Sequence, residues 1–217
     1  GTFIVRPSIG EDTRPLDAPS PGPISTENFK DQLKPIPCPT PEEAINALHL
    51  RPGFEIQLVA AEPHVQDPVA LEIDEDGRMY VVEYCEYNQY ATPNFKGPYN
   101  RVKLLVDRDG DGQFDTSTIF AEIPNCTAVG CYDGGVFVGA APDIFYCKDT
   151  DGDGKADLQR KVYSGFGKDH AGEGMINCFR WGPDNQFYVS AGTDGGQVSR
   201  IDDKTRPPLS MRRRTFV

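Results

Sequence analysis

Asp107-Arg108-Asp109-Gly110-Asp111-Gly112-Gln113-Phe114-Asp115 decides how this chain is read, because Asp149-Thr150-Asp151-Gly152-Asp153-Gly154-Lys155-Ala156-Asp157 repeats its pattern 42 residues later. Both stretches have the spacing D-x-D-x-D-G-x-x-D. A hard dication such as calcium takes six to eight oxygen ligands. Positions 1, 3, 5 and 9 offer carboxylates: Asp107, Asp109, Asp111 and Asp115 in the first loop, Asp149, Asp151, Asp153 and Asp157 in the second. The position 7 carbonyl (Gln113, Lys155) adds a ligand, and water completes the shell. Gly at position 6 allows the sharp backbone turn. An EF-hand would need a bidentate Glu at position 12, where this chain has Thr118 and Arg160. The flanks alternate with a period of two, so the expected element is a calcium loop closing a β-hairpin. A solvated acidic turn is the plainer alternative, but it leaves four carboxylates in nine residues with nothing to offset their repulsion.

Outward from these loops the chain reads as short strands and tight turns. Phe54, Ile56 and Leu58 alternate with polar residues; Val69, Leu71 and Ile73 keep the same period, as do Val102, Leu104 and Val106. Three hairpin turns recur at Asp76-Gly77, Asp133-Gly134 and Asp184-Asn185, spaced 57 and 51 residues apart. An acidic loop closes a second hairpin after each of the first two. Four strands per unit at such a period predict β-propeller blades. The expected fold is all-β: an incomplete propeller of about two and a half four-stranded blades, part of a larger protein. Before it, Thr40-Pro41-Glu42-Glu43 predicts a capped helix reaching about Leu50 and stopped at Pro52-Gly53. Residues 1–39, with the run Pro19-Ser20-Pro21-Gly22-Pro23, read as a Pro-rich linker. The domain is expected over 54–205. A frayed or foreign basic tail, with Arg212-Arg213-Arg214, is expected over 206–217.

Lys and Arg number 22 against 33 Asp and Glu, a formal charge of −11, which excludes phosphate backbones and hence nucleic acid as partners. No stretch reaches the roughly 20 apolar residues that span a bilayer, so no transmembrane segment is expected. Cys38, Cys85, Cys126, Cys131, Cys147 and Cys178 show neither C-x-x-C spacing nor the C-x-x-C-H haem attachment motif. They read as small buried hydrophobes, with disulfides left open.

Strand parity separates two faces. In a four-stranded meander A to D, loops A–B and C–D share one end, and loops B–C and D–A share the other. The turns and acidic loops therefore fall together on a structural face. The opposite face collects residues 85–100, Ala141-Pro142, residues 164–175 and residues 192–196. The first of these is rich in aromatic and amide side chains such as Tyr87, Asn88, Tyr90 and Phe95. Loops gathered at one end of a rigid scaffold are where a pocket forms. His170 lies in that set and suits a general base, with Asp194 as its orienting carboxylate and Asp169 as a substrate or charge-tuning contact. A loop His without a catalytic role is the alternative.

The phrases FEIQLVAAEPHVQDPVALEIDEDGRMYVVE, RVKLLVDRDGDGQFD, DTDGDGKAD, GFG and FRWGPDNQFYVSAG lie within 54–196. This stretch resembles the N-terminal propeller of the membrane-bound dehydrogenase, or PVC-type haem-binding, family of planctomycetes and relatives. That family is similar in turn to soluble quinoprotein sugar dehydrogenases. The resemblance implies that His170, in the pair Asp169-His170, takes a hydroxyl proton from a sugar or alcohol while hydride passes to pyrroloquinoline quinone (PQQ), with Asp194 orienting His170. It also implies a c-type haem domain downstream in the intact protein and a periplasmic or extracellular location. A non-catalytic calcium propeller that binds glycan or protein is the second expectation.

Overall fold

The structure is a computed structural model that describes residues 37–85, 96, 97, 99–167, 175–192, 195–211, 215 and 216. Its contacts divide the chain into Gly1–Thr40 and Pro41–Val217, and the second unit is the subject here. It opens with α1 (Pro41–Asn46), which is shorter than expected. The Glu43 carbonyl still accepts the Ala47 N–H at 3.1 Å, but no residue of the helix is buried, so no packing extends it.

All the sheet pairings are antiparallel. The first sheet is a meander of β1 (Pro68–Ile73), β2 (Met79–Glu83), β3 (Arg101–Val106) and β4 (Thr116–Glu122). The second begins as another meander: β5 (Cys126–Tyr132), β6 (Gly135–Ala140), β7 (Asp143–Lys148) and β8 (Leu158–Phe166). The third holds the hairpin β9 (Asn177–Trp181) and β10 (Phe187–Ser190). The first strands of the three sheets lie side by side, β1 against β5 and β5 against β9.

The hairpin turns follow from their residues. Asp133 and Gly134 both have positive φ, 50° and 67°, which is the two-residue turn that Asp-Gly favours. The turns of the first and third sheets share another geometry. Asp74 N–H donates to Arg78 O at 3.0 Å and Gly77 N–H to Asp74 O at 3.1 Å; Gly182 N–H donates to Gln186 O at 2.8 Å and Asn185 N–H to Gly182 O at 3.1 Å. Asn185 thus stands where the first sheet has Gly77, and it adopts φ 62° against 77°. Asn is among the few side chains that tolerate this region.

The core lies between sheets. Tyr80, Val82, Val102, Leu104 and Phe120 of the first meet Val129, Val136, Val138 and Cys147 of the second. Each fully buried aliphatic side chain contributes roughly 1.5–3 kcal/mol before chain entropy is counted. A second cluster joins sheets two and three through Ala128, Ile144, Phe166, Ile176, Phe179 and Val189. Gly130 has to be glycine there, since a Cβ would sit 2.5 Å from that of Phe179.

Three expectations are corrected. Residues 54–59 belong to no sheet, although Phe54, Ile56 and Leu58 alternate: among the described residues no inner strand lies beside them to pair with. Residues 192–196 do not join two neighbouring strands of a third blade. The strand that follows, β11 (Gly196–Arg200), pairs with the outer edge of the second sheet at β8, where Gly196 faces Phe166 and Arg200 faces Tyr163. An open edge accepts whichever strand can reach it. The tail is not frayed throughout: β12 (Leu209–Ser210) pairs with β11, β13 (Thr215–Phe216) pairs with β10, and Met211 is buried.

Candidate metal centre

The acidic loops join β3 to β4 and β7 to β8, as the spacing predicts, and fold alike. Asp107 Oδ1 accepts the Gly110 N–H at 2.7 Å and its Oδ2 the Gly112 N–H at 2.9 Å. Asp149 accepts from Gly152 at 2.7 Å and Gly154 at 2.8 Å. Asp109 and Asp151 each accept the N–H two residues on at 3.2 Å. Asp111 accepts the Gln113 N–H at 2.7 Å, and Asp153 accepts that of Lys155 at 2.8 Å. The last carboxylate folds back in both: Asp115 takes the Arg108 N–H at 2.8 Å, and Asp157 takes that of Thr150 at 2.7 Å together with the Thr150 hydroxyl. Gly110, Gly112, Gly152 and Gly154 all have positive φ, which lets the chain coil around its own carboxylates.

One oxygen each from Asp107, Asp109 and Asp115 lies within 4.8 Å of the others, and the same holds for Asp149, Asp151 and Asp153. Asp111 and Asp157 stand outside those sets. Such clusters can hold a metal ion, and the all-oxygen donor set fits calcium better than a soft metal. Partial burial works against ionisation of Asp149, but the N–H groups of Gly154 and Gly152 outweigh it and hold its pKa below the usual value. Hydrogen bonds from the Thr150 side chain and N–H lower that of Asp157. Both groups are therefore ionised, as a cation ligand must be.

Each loop also grips a neighbour. At position 8, Phe114 N–H donates to Val59 O at 2.9 Å, and Ala156 N–H donates to Phe120 O of β4 at 2.8 Å. The second loop is thereby tied to the first sheet, and the first loop to residues 54–61. Both strand ends behave as parity predicts. Lys148 Nζ, beside the second loop, donates to Asp133 O of the A–B turn at 2.7 Å. At the other end, Asn100 Nδ2 donates to Cys126 O at 3.2 Å, joining the start of β3 to the start of β5.

The expected catalytic residues Asp169, His170 and Asp194 lie outside the described residues, as do 86–95 of the aromatic insertion. Two features escaped the sequence reading. Glu83, fully buried at the end of β2, pairs with Arg101 Nε at 2.5 Å, lies 3.5 Å from Lys103 Nζ, and accepts the Gln66 N–H at 2.8 Å. An aromatic groove of about 330 Å³ runs between the second and third sheets, lined by Tyr132, Phe137, Phe179, Trp181 and Phe187 with Asn185 and Gln186 at its edge. Tyr132 and Trp181 are 45% and 51% exposed. Each precedes a hairpin turn, and that shared place was the available signal. No disulfide links the six cysteines: Cys126 and Cys147 are buried, Cys38 and Cys178 exposed.

A family profile described as a domain of unknown function (DUF7133) matches residues 40–216, including the stretch expected to be foreign. No curated protein and no solved structure matches the chain.

Proposed function

We propose, from the premise that this chain belongs to the DUF7133 family, that it is a calcium-binding propeller scaffold whose loop-rich end serves oxidation of a sugar or alcohol. The observation that carries the scaffold is the likeness of the two loops, each with three carboxylate oxygens within 4.8 Å of one another. Two four-stranded meanders whose first strands lie side by side support the blade reading. Isothermal titration calorimetry tests it: two calcium ions per chain are expected, and an absence of calcium uptake would remove the reading.

The dehydrogenase part rests on the resemblance of residues 54–196, which implies His170, with Asp169 and Asp194, as the catalytic set. PQQ carries three carboxylates, and among the described residues the aromatic groove has no cation in its lining, so that groove does not fit the quinone. Any quinone chemistry belongs to the loop-rich end and, with a downstream haem domain, to the exported intact protein. His170→Ala should abolish turnover of sugars in the PQQ-supplemented intact protein; unchanged turnover would refute the assignment.

One observation favours a second reading, a non-catalytic glycan binder. Half-exposed Tyr132 and Trp181 flank the groove beside the amides of Asn185 and Gln186, and aromatic faces with polar edges suit a pyranose ring. Quenching of the Trp181 fluorescence by oligosaccharides would support it.

A further inference from the structure

Along β2, Met79, Val81 and Glu83 alternate with Tyr80 and Val82, which face the second sheet, so they share the opposite face of the first sheet. On that face Met79, Val81 and Leu105 form a small buried cluster, and Ala60, Val65 and Phe114 pack against it. Residues 58–66 therefore cross this face as its cover.

The two ends of the cover are held unequally. At one end the His64 carbonyl accepts Lys103 Nζ at 2.6 Å and Ser117 Oγ at 2.7 Å, and the Gln66 N–H donates to the fully buried Glu83 at 2.8 Å. Two of these three bonds involve a charged group, which makes them the stronger kind. At the other end the Val59 carbonyl, on a residue 43% exposed, takes the Phe114 N–H at 2.9 Å. Between cover and loop lies a cavity of about 470 Å³, lined by Leu58, Ala61, Glu62 and His64 with Asp111 and Phe114. Close packing does not hold residues 58–62 down there. Phe114 is in turn fixed by the first acidic loop, between Gln113, whose N–H donates to Asp111, and Asp115, which takes the Arg108 N–H.

We propose that residues 58–66 are a strap, pinned at 64–66 and latched at Val59 by the first acidic loop. With the loop in order the strap covers Met79, Val81 and Leu105. When the loop loosens, residues 58–61 lift and that apolar face opens. A cation in the first loop thereby controls access to the face. The second loop has no such effect, because its position 8 amide holds Phe120, in a strand already fixed by its ladder to β3. The latch stands on the contacts just given; the control by a cation rests on the calcium reading above.

Oxidation of the full chain by hydrogen peroxide, resolved by mass spectrometry, tests this through Met79, Met175 and Met211. They are 4%, 7% and 0% exposed; Met79 belongs to the strapped cluster, and the other two to the cluster between the second and third sheets. Methionine oxidation disrupts buried packing and needs access to the sulfur. Asp107→Ala removes the acceptor of the Gly110 and Gly112 N–H groups. It should speed oxidation of Met79 about tenfold, as a local opening does, with Met175 and Met211 unchanged and the Gln66 amide still protected from exchange. Asp107→Asn, which keeps one acceptor oxygen, should fall between. Asp149→Ala should leave Met79 unchanged. In the wild type, chelator should reproduce the Asp107→Ala result and calcium should reverse it. Unchanged oxidation of Met79 in Asp107→Ala overturns the latch, and so does an equal rise at all three methionines, which is general loosening. Chelator that leaves Met79 protected, while Asp107→Ala uncovers it, removes the calcium reading and keeps the latch.

Discussion

The N–H of Ala156 reaches the carbonyl of Phe120 at 2.8 Å, so the second acidic loop is fastened to the outer strand of the first sheet. A cation that stiffens the loop should stiffen this junction too. Hydrogen exchange should find the Ala156 and Phe114 amides protected in calcium and exposed in chelator. In Asp149→Ala only the Ala156 amide should lose protection. Equal loss at both would show that the loops do not act separately.

Calcium should also raise stability. At 100 times its dissociation constant, one site contributes about 2.7 kcal/mol, which for a domain of this size moves the melting temperature by about 5–10 °C. Differential scanning with and without chelator measures it, and coincident curves would contradict the site.

Acid should loosen the second loop. Asp149 and Asp157 have lowered pKa values, so the stability they lend is present above the unfolded Asp value of about 4 and is lost as pH falls through their folded values. Asp157 is exposed and Asp149 only partly buried, so the effect is small and screened by salt. Melting temperatures from pH 6 to 2.5 without metal, wild type against Asp157→Asn, should differ at pH 6 and converge at the acid end.

Glu83→Ala should cost about 3 kcal/mol in urea unfolding, because it strands Arg101 and Lys103 beside a buried void. Replacing Arg101 should cost less, since Arg101 is partly open to water. Equal losses would point to lost packing as the cause, not lost charge.

The thiols should separate by burial. Desolvation pushes Cys131 and Cys147 up to about 12, so neither forms much thiolate at neutral pH. Cys38 and Cys178 should react first with a chromogenic disulfide, and Cys126 and Cys147 only on unfolding.

What the sequence revealed was local. The acidic loops are written in nine consecutive residues, and Asp133-Gly134 names its own turn. Alternation located β1 and β3 because each pairs with a neighbour in the chain. Choices between distant partners were not legible. Nothing in Gly196–Arg200 says that it will join β8 and leave β10 to β13. Phe54, Ile56 and Leu58 carry the period of a strand, but a strand needs a partner as well as a pattern. Glu83 and Arg101 meet only because β2 and β3 pair in one register, with the insertion between them.

The position 8 amides also bear on how such a chain could arise. The first two sheets each carry a hook, the loop N–H, and the first also carries an eye, the outer-strand carbonyl of Phe120 on which the second hook catches. A gene segment encoding both can be copied in tandem without inventing a new contact surface, so the number of units can change by duplication or loss while every junction stays the same.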